Sequence, residues 1–182
     1  MEAGLLEAVS ANLGEWAAEA GYDIISDSGA VVIANGGGEI RFYVRRRDGQ
    51  FEVSRAERSE DEELRMITHD LVHVVRFLTV RLATSIRSSR GLDLTAVFLP
   101  SEELAPGAEL RSAHDDPRGP MEGVVLHGEV EALFPEDPEP WDAVEFSHYA
   151  DKPIELIRAS FLDPHGAPLF EHPAASAPEH RR

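Results

Sequence analysis

The stretch from Asp61 to Arg90 constrains the fold more than any other part of the chain. Leu64, Ile67, Leu71, Val74, Val75, Leu78, Leu82 and Ile86 recur at helical spacing over about eight turns. Met66, His69, His73, Phe77 and Val80 form a second stripe roughly opposite, so the helix is apolar on two sides and belongs in the middle of a packed structure. Ser59, followed by Glu60, Asp61, Glu62 and Glu63, puts negative charge at the positive end of the helix dipole, and Arg87, Arg90 and Gly91 mark the other end. A long central helix over 61–90 is the expectation.

The segment before it has a different period. Residues 2–20 place Leu5, Leu6, Val9, Leu13, Trp16 and Ala20 on one face of a first helix, with Gly21 as its stop. Short apolar runs follow at Tyr22 to Ser26, Ala30 to Ala34, Glu39 to Arg46 and Gln50 to Arg55, separated by Asp27-Ser28-Gly29, Asn35-Gly36-Gly37-Gly38 and Asp48-Gly49. Ile40, Phe42 and Val44 alternate with Arg41, Tyr43 and Arg45, and Phe51 and Val53 with Glu52 and Ser54. Four strands in sequence predict an antiparallel meander with Phe42, Val44, Phe51, Val53, Leu71, Leu78 and Leu82 buried between it and the helix.

Beyond the helix the pattern weakens. Leu92 to Leu99 reads as a strand stopped by Pro100, and Ser101 to Glu122 carries too much turn chemistry for one regular element, so it reads as an acidic loop region. Gly123 to Phe134 returns to a strand or hairpin, Trp141 to Tyr149 to a short helix, and Asp151 with Pro153 opens a last helix through Ile154, Leu156, Ile157, Ala159 and Phe161. The fold class is α+β: an antiparallel β-meander packed on a long central helix, with flanking N- and C-terminal helices. One domain is expected over 1–170, with a disordered tail over 171–182.

Charge and cysteine usage bound the function. The chain of 182 residues has no cysteine, which excludes disulfides and thiolate metal sites. Its N-terminus has acids where a signal peptide needs bases, and no apolar run reaches the ~18 residues of a membrane span, so a cytoplasmic protein is expected. The net charge of −17 divides as −5 over 1–60, 0 over 61–100 and −12 over 101–182. Such a field serves solubility, repels nucleic acid and anionic lipid, and draws in a basic partner. Neither a nucleic-acid nor a membrane partner is expected, nor a small-molecule substrate or cofactor.

No catalytic constellation stands out. His69-Asp70-Leu71-Val72-His73 places two imidazoles one helical turn apart, as in zincins, but with Asp where that motif has Glu and no third ligand at a recognisable spacing. Two histidines on the less apolar face of a packed helix explain the pair better, and no metal is expected. Asn35-Gly36-Gly37-Gly38 leads into a strand rather than a helix, so it reads as a hairpin loop and not a phosphate cradle. Arg45-Arg46-Arg47 has no interleaved aromatics to mark a nucleic-acid surface.

Several strings together carry a resemblance: A-G-Y at Ala20 to Tyr22, G-G-E-I-R-F-Y-V at Gly37 to Val44, A-E-R at Ala56 to Arg58, S-I-R-S-S-R-G-L at Ser85 to Leu92, and I-R-A-S-F-L-D-P-H-G-A-P-L-F at Ile157 to Phe170. Over about residues 20–170 the chain resembles a bacterial polymorphic-toxin immunity protein family, the one that includes the immunity factor of the tuberculosis necrotizing toxin, an NAD glycohydrolase. The resemblance implies a non-enzymatic antitoxin that binds a cognate secreted toxin domain and blocks its substrate cleft. Two other classes fit the residues: a secretion-chaperone-like module that holds an unfolded client, and a hydrolase using a His69/His73 metal site. Recognition residues concentrate on loops, and the acidic loops point to Glu102, Glu103, Asp115, Asp116, Glu136 and Asp137 as partner-binding residues. Trp141 joins them as an apolar anchor, with Phe98, Leu104 and Leu110 as nearby alternatives.

Overall fold

The apolar runs between Tyr22 and Arg55 fold as four antiparallel strands, β1 (Tyr22–Asp27), β2 (Ala30–Asn35), β3 (Ile40–Arg47) and β4 (Gln50–Glu57), preceded by α1 (Glu2–Glu19). The computed structural model describes residues 2–136 and 141–171. The registers follow the expected alternation: Val44 faces Val53, Ile33 faces Phe42, and these side chains point to the core with Val31 and Phe51.

The expected helix over 61–90 is two elements. Its first third is a fifth strand, β5 (Glu63–Thr68), paired with β4, and only then does α2 (Leu71–Ser89) begin. Both faces of β5 are covered: Met66 belongs to the helix-side core and Ile67, also fully buried, faces away from it. A strand buried on both faces has no alternation to betray it, and its apolar residues fall in with a helical period by accident. The acids after Ser59 therefore do not start a helix. Glu62 instead accepts from Arg45 and from the Ser54 hydroxyl, which holds its carboxyl below the usual range. The real N-cap is Asp70, whose carboxylate accepts from the Val72 amide at 2.9 Å. The C-terminus lies where expected: Gly91, at φ 67, donates to Ser88 while Leu92 donates to Arg87, the paired bonds of a Schellman motif.

After a 3₁₀ turn at Leu94–Ala96, the chain adds β6 (Glu109–Ala113), β7 (Met121–Leu126), β8 (Glu129–Pro135), α3 (Trp141–Ser147) and α4 (Ile154–Leu162). The expected strand over 92–99 is replaced by that turn, because the Asp93 carboxylate accepts from both the amide and the hydroxyl of Thr95; only Val97 makes a bridge, to Glu171. The region 101–122, expected to be loop, holds β6. This is an edge strand with exposed Glu109, Arg111 and Ser112, so Leu110 alone signals a buried face.

The eight strands form one antiparallel sheet in the order β1-β2-β3-β4-β5-β8-β7-β6. Between β5 and β8 the ladder narrows to one pair, Ile67 opposite Leu133, helped by the Thr68 hydroxyl donating to the Glu131 carbonyl at 2.7 Å. α1 lies on β1 and β2, and α3 on β7 and β8, while α2 runs between the sheet and α4. Both apolar stripes of α2 are thereby explained: Leu78 and Leu82 of the first are fully buried, and Phe77 of the second meets Phe134 with ring centroids 6.2 Å apart. Of the residues expected in the core, only Leu71, in the first turn of α2, is merely half-buried at its margin. The expected tail over 171–182 lies, beyond Glu171, outside the described residues.

Candidate functional site

One cleft beside the expected partner-binding residues lies at the C-terminal end of α3. Phe98, Pro100, Leu104 and Pro106 form its apolar wall and Glu102 and Glu103 its acidic rim, around a volume of about 550 Å³. Its frame is fixed at both ends. The Phe98 amide donates to the Phe170 carbonyl at 2.8 Å; farther on, the Ala105 amide donates to the Ser147 hydroxyl at 2.9 Å and His148 Nε2 donates to the Glu103 carbonyl at 2.8 Å. Since a carbonyl only accepts, the last contact fixes the proton on Nε2. Sequence reasoning reached Glu102, Glu103, Phe98 and Leu104 but missed His148, Pro100 and Pro106; the flanking prolines were the available signal for a stiff, presented loop.

The other expected residues are elsewhere. Asp115, Asp116 and Glu136 gather where the β6–β7 loop meets the end of β8, with His114 Nδ1 lying 3.7 Å from Glu136. Asp116 is committed within the molecule: its two oxygens accept from Arg118, whose guanidinium also reaches Glu52 and Gln50 on β4. Arg118 holds the Asp116 carboxyl down to about 2, and the side chain is only 11% exposed. It straps the loop to the sheet. Asp115, by contrast, is exposed. Trp141, 58% exposed, stands at the start of α3, whereas Leu110 packs against the core. Asp137 lies outside the described residues.

The two histidines are not a helical pair. His69 precedes the N-cap, is exposed, and sits 3.3 Å from the Gln50 amide, while His73 is buried inside α2 with Nε2 2.9 Å from Glu131 and its ring edge-on to Phe146. The spacing argument for shared metal ligation therefore loses its premise. Among the described residues no group of three His, Cys, Asp or Glu side chains is placed to hold a metal ion, and no helix is long and apolar enough to cross a membrane.

The cleft is thus loop-framed and acid-rimmed on a helix-backed antiparallel sheet, and comparisons with known proteins give the family to which such a fold belongs here. The solved structure of Rv3902c from M. tuberculosis superposes with a TM-score of 0.76 at 25% identity, covering 88% of this chain and 92% of that one. Two curated relatives, the immunity factor for TNT of Mycobacterium tuberculosis and the immunity factor for TNT homolog of Mycobacterium bovis, are each 28% identical over 166 residues, 89% of this chain and 92% of theirs. The profile of the family described as Immunity protein 61 matches residues 16–169. The chain belongs to the Immunity protein 61 family.

Proposed function

We propose that this chain is the cytoplasmic antitoxin of a secreted toxin domain, a non-enzymatic inhibitor that binds the toxin and occludes its substrate cleft. Membership of the immunity-protein family and relatives named as immunity factors for TNT support the reading. By the resemblance described above, the toxin is an NAD glycohydrolase. The observation that carries the location of binding is the cleft walled by Phe98 and Leu104 and rimmed by Glu102 and Glu103, with exposed Trp141 on the helix that backs it. Apolar walls in a desolvated centre supply affinity, and charges at a rim supply orientation and speed. The complementary toxin surface carries an apolar side chain flanked by Arg or Lys.

The test is inhibition of a toxin domain encoded beside this chain. Stoichiometric protein should abolish NAD consumption, and Phe98→Ala with Leu104→Ala should restore it by speeding dissociation. Full toxin activity in excess wild-type protein would falsify the reading, and binding of an unfolded secreted client instead would replace it with the chaperone class.

A further inference from the structure

A second cleft, of about 300 Å³, opens between the sheet and the C-terminal half of α2. Its wall brings together Arg55 from β4, Arg65 from β5 and Arg81 from α2, with the hydroxyl-bearing side chains of Tyr22, Thr84 and Ser85. Phe42 and Phe77, both buried, lie beneath its floor, and Tyr22 is 6.5 Å from Phe42, ring centre to ring centre. Among the described residues no carboxylate lines the cleft. Three arginines converge on this wall, each paired with carboxylates that do not themselves line the cleft.

The fold builds this convergence deliberately. Between Val53 and Ser54 the register of β4 against β5 shifts from Met66 to Leu64, leaving Arg65 as the extra residue of a β-bulge. Leu64 and Met66 serve opposite faces, and the bulge turns Arg65 to the helix side, where bulges commonly re-aim a functional side chain. Each guanidinium is then gripped from outside the cleft. Arg65 donates from Nε and Nη2 to Asp142 at 2.8 and 2.6 Å, Arg81 donates from Nη2 to Asp142 and Glu145 at 2.8 Å each, and Arg55 donates to Glu57. Arg81 also lies over the Phe77 ring, 4.8 Å from its centre, and its Nε is buried with no partner among the described residues. These contacts orient the forks and leave donors over for the cleft.

We propose that this cleft is an oxyanion site, taking a phosphate or carboxylate group. The group comes either from a free small-molecule anion or from an Asp or Glu side chain of a bound toxin; the first source is independent of the antitoxin reading, and the second rests on it.

The test titrates the full-length protein with inorganic pyrophosphate at constant ionic strength, following the arginine Nε–H resonances by NMR. Saturable shifts of the Arg55, Arg65 and Arg81 signals are expected, weakened about tenfold or more in Arg55→Gln, which removes one charge-assisted donor. The Arg55 partner Glu57 is half-exposed, so the variant should keep its fold; Ser85→Glu, which puts a carboxylate into the wall, should block the site by a second route. If pyrophosphate moves none of these signals while Arg55→Gln and Ser85→Glu each weaken a toxin domain that wild type binds, the oxyanion is the toxin's own side chain and the site stands. Equal shifts in wild type and Arg55→Gln, or no effect of either variant on pyrophosphate or toxin, overturns the proposal.

Discussion

Arg87 ties together two segments far apart in sequence. It is 1% exposed, and among the described residues its guanidinium donates only to backbone carbonyls: Asp93 after α2, and Phe161, Asp163 and Pro164 at the end of α4, the last three at 2.7, 2.8 and 3.2 Å. Helix ends leave carbonyls without intrahelical partners, and buried ones must be satisfied by something else. The same loop needs a glycine at 166, where φ is +79 and a Cβ would meet the Phe170 carbonyl oxygen at 2.4 Å. Arg87→Leu should therefore lower the urea unfolding free energy by on the order of 3 kcal/mol or more, with Arg87→Lys recovering only part, because one ammonium has three donors on a single atom. His73 gives a pH-dependent prediction. Burial lowers its pKa, opposed by Glu131 and Asp70 and assisted by Arg76. The folded state thus keeps this imidazole neutral where the unfolded chain, near 6.5, takes up a proton. Stability from this group is full above about pH 6.5 and declines as pH falls from there through the lowered folded value. Replacing His73 with Gln should flatten that part of the stability profile, followed by melting temperature between about pH 7 and 5.

The meander and α1 were legible because one face met water and the other the core. The meander announced itself through alternation at Ile40 to Val44 and Phe51 to Val53, and α1 through its single stripe from Val9 to Trp16. β5 was not legible, since Met66 and Ile67 are buried on opposite faces and the acids before them imitate a helix start; nor was β6, whose outward residues are those of a loop. The distinction between Ser59 and Asp70 is open to measurement. Asp70→Ala should cost about 1 kcal/mol in denaturant unfolding through loss of the N-cap, and Ser59→Ala, in an exposed turn, should be neutral within about 0.5 kcal/mol. A comparable loss from Ser59→Ala would return the helix start to that residue. The three-arginine cleft had no sequence signal at all, because its residues come from separate elements and meet only through a bulge.

At the scale of the whole molecule, charge and topology divide the chain in similar places. The C-terminal part carries −12 of the −17, yet its acids are not equivalent: Glu102, Glu103 and Asp115 face solvent while Asp116 is neutralised by Arg118. Neutralising the three exposed acids should slow toxin association several-fold at low salt and flatten its salt dependence, with little change in dissociation. Asp116→Asn should leave association untouched and loosen the β6–β7 loop instead, seen as faster amide exchange at 114–120. Sequence alone pointed to acidic loops but could not separate a committed carboxylate from an available one. The topology has its own consequence. Residues up to Gly91 complete α1, five strands and α2, and everything across the single-pair junction at Ile67 and Leu133 comes later in the chain. During synthesis the first half emerges with the edge of β5 unpaired and Phe77 lacking Phe134, so the nascent chain is most exposed to misassociation in the interval before its second half leaves the ribosome.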